Sequence, residues 1–120
     1  MKIPVALGKD SYDITLERGA LEKAGEIFNL DRKVMIVTDS GVPGIYVETV
    51  ARQCRKPVTA VIEAGEESKN LGSFKMLCET MLGEGFSRKD CVVAAGGGVT
   101  GDLAGFAAAC YMRGIDFYNV

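Results

Sequence analysis

Apolar and polar positions fall in blocks along this chain, and from Lys33 onward the blocks read strand, helix, strand, helix. Lys33 to Thr38 (KVMIVT) and Cys91 to Ala95 (CVVAA) are nearly continuous apolar runs, the mark of strands buried on both faces. Val58 to Ile62 reads as another short buried strand. Between these runs, Ile45 to Cys54 places Val47, Val50, Ala51 and Cys54 on one helical face. Leu71 to Gly83 turns Phe74, Leu77, Cys78, Met81 and Leu82 inward, with Gly83 and Gly85 as its stop. An apolar helix follows from about Asp102 to Met112, and Asp116 to Val120 begins a last strand. Ahead of this alternation, Ile3 to Leu7 and Tyr12 to Leu16 flank Gly8-Lys9-Asp10-Ser11 as a β-hairpin, and Gly19 to Phe28 reads as a short helix. The predicted fold is α/β: a Rossmann-like, mostly parallel sheet with flanking helices and an N-terminal β-hairpin. No linker or repeat interrupts the pattern, so residues 1–120 form one domain.

The segment between the Cys91 strand and the helix after it carries the chemistry. Gly96-Gly97-Gly98-Val99-Thr100-Gly101 matches GxGxxG at residues 96, 98 and 101, after a buried strand and before a helix. Glycines there let backbone approach a pyrophosphate, and the helix start offers free N–H donors and a favourable dipole. The plainer alternative is a tight strand-to-helix turn that needs positive φ. No GK[ST] closes the run, which disfavours a P-loop. The loop follows a late strand, and Asp116, 20 residues past Gly96, opens a strand instead of ending one. Asp39 does end a buried strand, where ligands of open α/β sheets collect, and it suits ribose hydroxyls. A turn or N-cap aspartate is the equal alternative. Leu103 to Tyr111 (LAGFAAACY) has no charged face, and Gly101 and Gly105 would let another backbone pack closely. One sheet face does not cover such a helix, so a second domain or a partner subunit is expected over it.

Composition narrows the classes. The 120 residues are 48% hydrophobic with net charge -2, and no basic run offers a nucleic-acid face. No apolar window reaches membrane-spanning length, and Met1-Lys2-Ile3-Pro4 is not a secretory signal, so a cytoplasmic location without membrane contact is expected. The chain has no histidine, which excludes a His-based triad and argues against a catalytic zinc site within it. Cys54, Cys78, Cys91 and Cys110 form no CxxC pair and read as reduced, core-packing residues.

Taken with its flanks, Gly96 to Gly114 (GGGVTGDLAGFAAACYMRG) resembles the GGGVxGDxxGFxA…YxRG segment of 3-dehydroquinate synthases, and Ala94 to Phe106 is its phosphate loop. Gly65-Glu66-Glu67-Ser68-Lys69 resembles that family's GExxK loop, and the order of elements agrees along the whole chain. The resemblance implies an N-terminal domain, residues 1–120, that binds NAD. It implies a further, C-terminal domain, absent here, holding zinc or cobalt, so no metal ligand and no catalytic residue is expected within these residues. The implied reaction converts the sugar phosphate DAHP to 3-dehydroquinate and phosphate, in the shikimate pathway of aromatic amino-acid biosynthesis, with NAD regenerated. The implied cofactor contacts are Asp39, Glu66, Lys69, Gly97, Gly98, Val99, Gly101 and Asp102. Arg113 is the implied contact to the substrate phosphate, across a homodimer. Without the resemblance, Glu66 and Lys69 read as a solvated loop, and Arg113 as a cation that the helix C-terminus stabilises. Residue 41 is Gly where many members carry a polar side chain, which weakens the nucleoside contact near Asp39. Three alternatives stay open: an NAD-linked polyol dehydrogenase, another sugar-phosphate cyclase, and a non-catalytic nucleotide-binding module. As a fragment of the enzyme, the chain is expected to be inactive alone.

Overall fold

The computed structural model describes residues 1–120. Six strands and four α-helices follow in chain order: β1 (Lys2–Val5), β2 (Tyr12–Thr15), α1 (Ala24–Ile27), β3 (Lys33–Asp39), α2 (Gly44–Ala51), β4 (Lys56–Ile62), α3 (Leu71–Gly83), β5 (Cys91–Ala95), α4 (Gly98–Cys110) and β6 (Asp116–Asn119). Four strands form one parallel sheet in the order β4-β3-β5-β6. The α/β architecture is the one the alternating pattern predicts.

Helices cover both faces of this sheet. On one face, Met35 and Val37 of β3 pack with Leu77 and Met81 of α3 and with Leu103, Ala104, Ala107 and Ala108 of α4. On the other, Val34 and Ile36 pack with Ala24, Leu30 and Val50. β3 and β5 are therefore buried on both sides, which is why they read as unbroken apolar runs. β4 departs from the expectation. It is an edge strand in which Ala60 and Ile62 are buried while Val61 is 59% exposed. Only an edge accommodates Pro57, which has no N–H for a second neighbour.

The chain leaves β3 through α2 to reach β4 on one side, then crosses through α3 to β5 on the other side of β3. Strand order thus reverses between β3 and β5. In open α/β sheets, that reversal opens a crevice at the carboxyl ends of the two strands.

α3 begins where expected because the Asn70 side chain caps it, accepting from the Ser73 N–H at 2.8 Å. Leu82 does not turn inward as its apolar character suggests; it is 72% exposed, one residue round the helix from buried Met81. α4 starts at Gly98 rather than near Asp102, so the last four residues of the glycine motif are helical. Its Gly101 and Gly105 meet side chains of β6, not another backbone. A Cβ on Gly101 would stand 3.3 Å from Asn119, and one on Gly105 3.3 Å from the Phe117 ring. Phe106, Ala109 and Cys110 lie exposed along the outer face of α4, so Cys110 is not a core residue. Cys54 and Cys91 do pack inside, and burial pushes both thiols up to about 11.

The antiparallel pair β1–β2 stands apart from both cores. Its register puts Ile3, Val5, Tyr12 and Ile14 on one side and Lys2, Pro4, Asp13 and Thr15 on the other. No helix of the structure is long and apolar enough to cross a membrane.

Candidate functional site

A cleft of about 360 Å³ opens where strand order reverses. Asp39, Gly41 and Val42 after β3 form one wall, Glu63, Ala64 and Gly65 after β4 a second, and Gly97 to Thr100 a third. Ser40 ties two of these walls together: its N–H donates to Ile62 O, and its Oγ accepts from the Ala64 N–H at 2.9 Å.

The four glycines of the motif do different jobs, and none adopts positive φ. The turn reading, which needs left-handed backbone, is thereby overturned; these glycines are kept for space. At Gly96 a Cβ would lie 2.7 Å from Asp39 Oδ2 and 2.9 Å from Thr100 Oγ1, closer than real side chains approach. At Gly97 and Gly98 a Cβ would meet nothing within 4 Å, because both border the open cleft. Gly101 packs under Asn119, so it supports α4 from below.

α4 carries no side-chain cap. The Gly101 N–H bonds back to Gly97 O at 3.0 Å, and the N–H groups of Gly98, Val99 and Thr100 find no partner within the chain. Unpaired donors at the positive end of a helix dipole, beside open space, form an anion site. Asp39 sits across from them with its carboxylate held in place. Its Oδ2 accepts from Thr100 Oγ1 at 2.8 Å and its Oδ1 from the Gly41 N–H at 2.9 Å. The Thr100 hydroxyl chiefly outweighs the opposing effect of burial and, with the Gly41 and Gly97 N–H groups, holds this carboxyl below the ordinary aspartate range.

Lys69 and Asp102 form the next feature outward. Lys69 Nζ lies 3.0 Å from Asp102 Oδ2, joining the loop before α3 to the second turn of α4. Asp102, followed by the Glu66 charge, raises the Lys69 pKa. Glu66 itself is exposed and takes no side-chain hydrogen bond. Below this pair, Leu71, Phe74, Leu103 and Phe106 line a shallow apolar groove, with the two phenyl rings 4.8 Å apart.

The expected cofactor residues thus gather at one edge of the sheet: Asp39, Gly97, Gly98 and Val99 in the cleft, Gly101 beneath it, and Glu66, Lys69 and Asp102 on its rim. Arg113 does not join them. It follows the far end of α4, a 13-residue helix about 20 Å long, at the opposite edge of the sheet. There Met112 and Arg113 both hold left-handed backbone, φ 48 and 68, before Gly114 at φ 113. Asp116 also lies at that edge, paired with Arg32 at 2.9 Å, and has no access to a ribose in the cleft. In the sequence, Gly96, Thr100 and Gly65 read only as parts of their motifs, without a role of their own, and Glu63 and Ala64 do not stand out. Of these only Thr100 left a further signal, as the polar residue inside an otherwise small and apolar motif.

Known proteins resemble the chain in sequence and in fold. The family described as 3-dehydroquinate synthase N-terminal matches residues 59–120, half of the chain including β5, the glycines and α4. The chain belongs to this family. Its whole length is also 41% identical to the 3-dehydroquinate synthases of Streptococcus thermophilus and Streptococcus pneumoniae, and spans 36% of the length of each. Among solved structures, a crystal structure of 2-deoxy-scyllo-inosose synthase superposes on all of the chain with TM-score 0.90 at 26% identity, over 35% of its own length. An equally similar structure of that enzyme is complexed with carbaglucose-6-phosphate, NAD+ and Co2+. ValA, a 2-epi-5-epi-valiolone synthase from Streptomyces hygroscopicus with NAD+ and Zn2+ bound, covers 96% of the chain and matches over 33% of its own length, with TM-score 0.77 at 28% identity.

Proposed function

We propose that this chain is the NAD-binding portion of a 3-dehydroquinate synthase, the enzyme that converts DAHP to 3-dehydroquinate and phosphate. One observation carries the reading: at the point where strand order reverses, an uncapped helix start with unpaired N–H groups faces an ionised carboxylate across an open cleft. A dinucleotide presents an anionic pyrophosphate and a neutral ribose diol, and the two walls match these two chemistries. Gly97 and Gly98 leave room for the pyrophosphate, the N–H groups of Gly98 and Val99 donate to it, and Asp39 accepts from ribose hydroxyls. Lys69 and Asp102, with Glu66 nearby, close the rim. NAD held by these residues would supply reversible hydride-transfer chemistry at the carbon that bears one substrate hydroxyl.

The chain's own groups do not fit a metal: no three His, Cys, Asp or Glu side chains come together in a way that holds one. A zinc or cobalt ion therefore belongs to the part of the enzyme beyond this domain, and these residues alone bind NAD without turning over substrate. We place Arg113 against the substrate phosphate of a second copy. Its distance from its own cleft, its exposed turn and the bare outer face of α4 support a homodimer. A cytoplasmic enzyme acting on a small sugar phosphate, with no nucleic-acid or membrane partner, completes the proposal.

Phosphate release from DAHP by the complete enzyme, with NAD and a divalent metal, tests the activity. Release from a hexose 6-phosphate instead of DAHP would assign the chain to another sugar-phosphate cyclase. That second reading is kept open by the 0.90 superposition on 2-deoxy-scyllo-inosose synthase. NAD titration of this chain by calorimetry tests the cofactor site alone.

A further inference from the structure

Three threonines sit in the α-helices or their first turns with fully defined partners, and they do not behave alike. Thr49 Oγ1 donates to Ile45 O at 2.7 Å, and Thr80 Oγ1 to Met76 O at 2.8 Å, the usual bond to the carbonyl four residues back. Thr100 has no helical carbonyl four residues back, because Gly96 lies outside α4. Its hydroxyl instead reaches 61 residues along the chain to Asp39 Oδ2 at 2.8 Å, and its side chain is buried, 1% exposed.

We propose that Thr100 is the positioning residue of the dinucleotide site, fixing the Asp39 carboxylate so that its remaining acceptor capacity faces a ribose hydroxyl. This rests on the NAD reading given above. A carboxylate offers about four acceptor positions. Here Thr100 occupies one on Oδ2 and the Gly41 N–H one on Oδ1. The Gly97 N–H also favours the charge, so acceptor capacity is left for a ribose hydroxyl on the side of Asp39 that lines the cleft. The Thr100 side chain is 1% exposed, so the packing around it holds its donor in place. Gly96 completes the device, since any Cβ there would occupy the space in which hydroxyl and carboxylate meet. Thr38 reinforces it one residue earlier, donating to Ala95 O at 2.8 Å and locking the ends of β3 and β5 together. The donated hydroxyl also lowers the Asp39 pKa, favouring the ionised state that accepts from ribose hydroxyls.

The test compares Thr100→Val, nearly isosteric but without a donor, with Thr100→Ser, which keeps it. Thr100→Ala serves as a second donor-free variant, and circular dichroism checks the fold of each. NAD affinity by calorimetry is expected to fall about tenfold in Thr100→Val and to stay within about twofold in Thr100→Ser. On an Asp39→Ala background the valine substitution should cost nothing further, because the partner it positions is gone. In the same proteins, the Asp39 carboxyl followed by carbon NMR should titrate higher in Thr100→Val and Thr100→Ala than in wild type or Thr100→Ser. Unchanged NAD affinity in Thr100→Val, or an equal loss with and without Asp39, overturns the proposal while leaving the NAD site standing. Absence of NAD binding by the wild-type chain would instead defeat the cofactor reading. The NMR titration then still decides whether Thr100 governs the carboxylate.

Discussion

The two edges of the parallel sheet use the same four strands and solve opposite problems. At the edge where the strands begin, polar groups are closed off against one another. Arg32, just before β3, donates to Asn29 O, Lys89 O, Asp116 Oδ2 and Tyr118 Oη. Lys33 donates to Glu84 O and Gly85 O, the Tyr111 hydroxyl to Phe86 O, and Phe28 stacks on Tyr118 at 4.4 Å. At the edge where the strands end, helix N–H groups are left without partners and two glycines face open space. A group already bonded inside the chain adds stability, whereas an unbonded one beside a cleft is available to a ligand. The contrast therefore predicts that damage to the first edge appears in folding, and damage to the second in binding.

Arg32→Ala puts the largest effect on the closed edge. It removes four hydrogen bonds donated by a side chain that is 11% exposed, and should cost about 2–3 kcal/mol of stability by denaturant unfolding. NAD affinity at a temperature where the variant is folded should stay within about twofold of wild type. A tenfold loss of affinity would dissolve the division between the edges.

Gly96→Ala strikes the open edge. The added Cβ would stand 2.7 Å from Asp39 Oδ2, forcing carboxylate and helix start apart. NAD binding should weaken more than tenfold, which is over about 1.4 kcal/mol, whereas Gly97→Ala, with nothing nearby in the empty chain, should leave stability unchanged. If Gly96→Ala binds normally, the close approach is not what the glycine serves.

Acid offers a third probe. The folded chain holds the Asp39 carboxyl below its ordinary value of about 3.9. Its contribution is therefore complete above that ordinary value and is lost as pH falls through the lowered one. Thermal melts should show a drop below about pH 4 that shrinks in Asp39→Asn. An identical drop in both proteins would assign the acid sensitivity elsewhere.

The smallest expected change in stability belongs to the rim. Lys69 and Asp102 are both well exposed, so Lys69→Ala with Asp102→Ala should leave stability almost unchanged in denaturant unfolding. Their loss should nevertheless weaken NAD binding measurably. Unaltered affinity in the double variant would remove the rim from the site.

Much of this was legible in the residues themselves. The runs at Lys33 and Cys91 announce strands covered on both faces, and the glycines between β5 and α4 announce a crowded approach. β4 was misread because Val61 is apolar although it faces solvent, which hides an alternation of two behind a continuous run. The start of α4 was placed late because Gly98 and Gly101 lower helix propensity, while packing against Asn119 and Phe117 outweighs that cost. The remoteness of Arg113 follows from simple length: a residue one helix beyond the phosphate loop must stand at the other edge of the sheet. The bond between Asp39 and Thr100 had no local trace, because periodicity reports faces and not which residues meet across 61 positions.

That long separation has a consequence for how the molecule comes into being. Closing a chain loop of such length is entropically costly before any contact rewards it, whereas β3 and β4 meet across a single short crossover. The cleft should accordingly be among the last parts to assemble and the first to open. Substitutions at Gly96 or Thr100 are then expected to hasten unfolding while scarcely slowing folding, and stopped-flow kinetics would register them almost wholly on the unfolding limb.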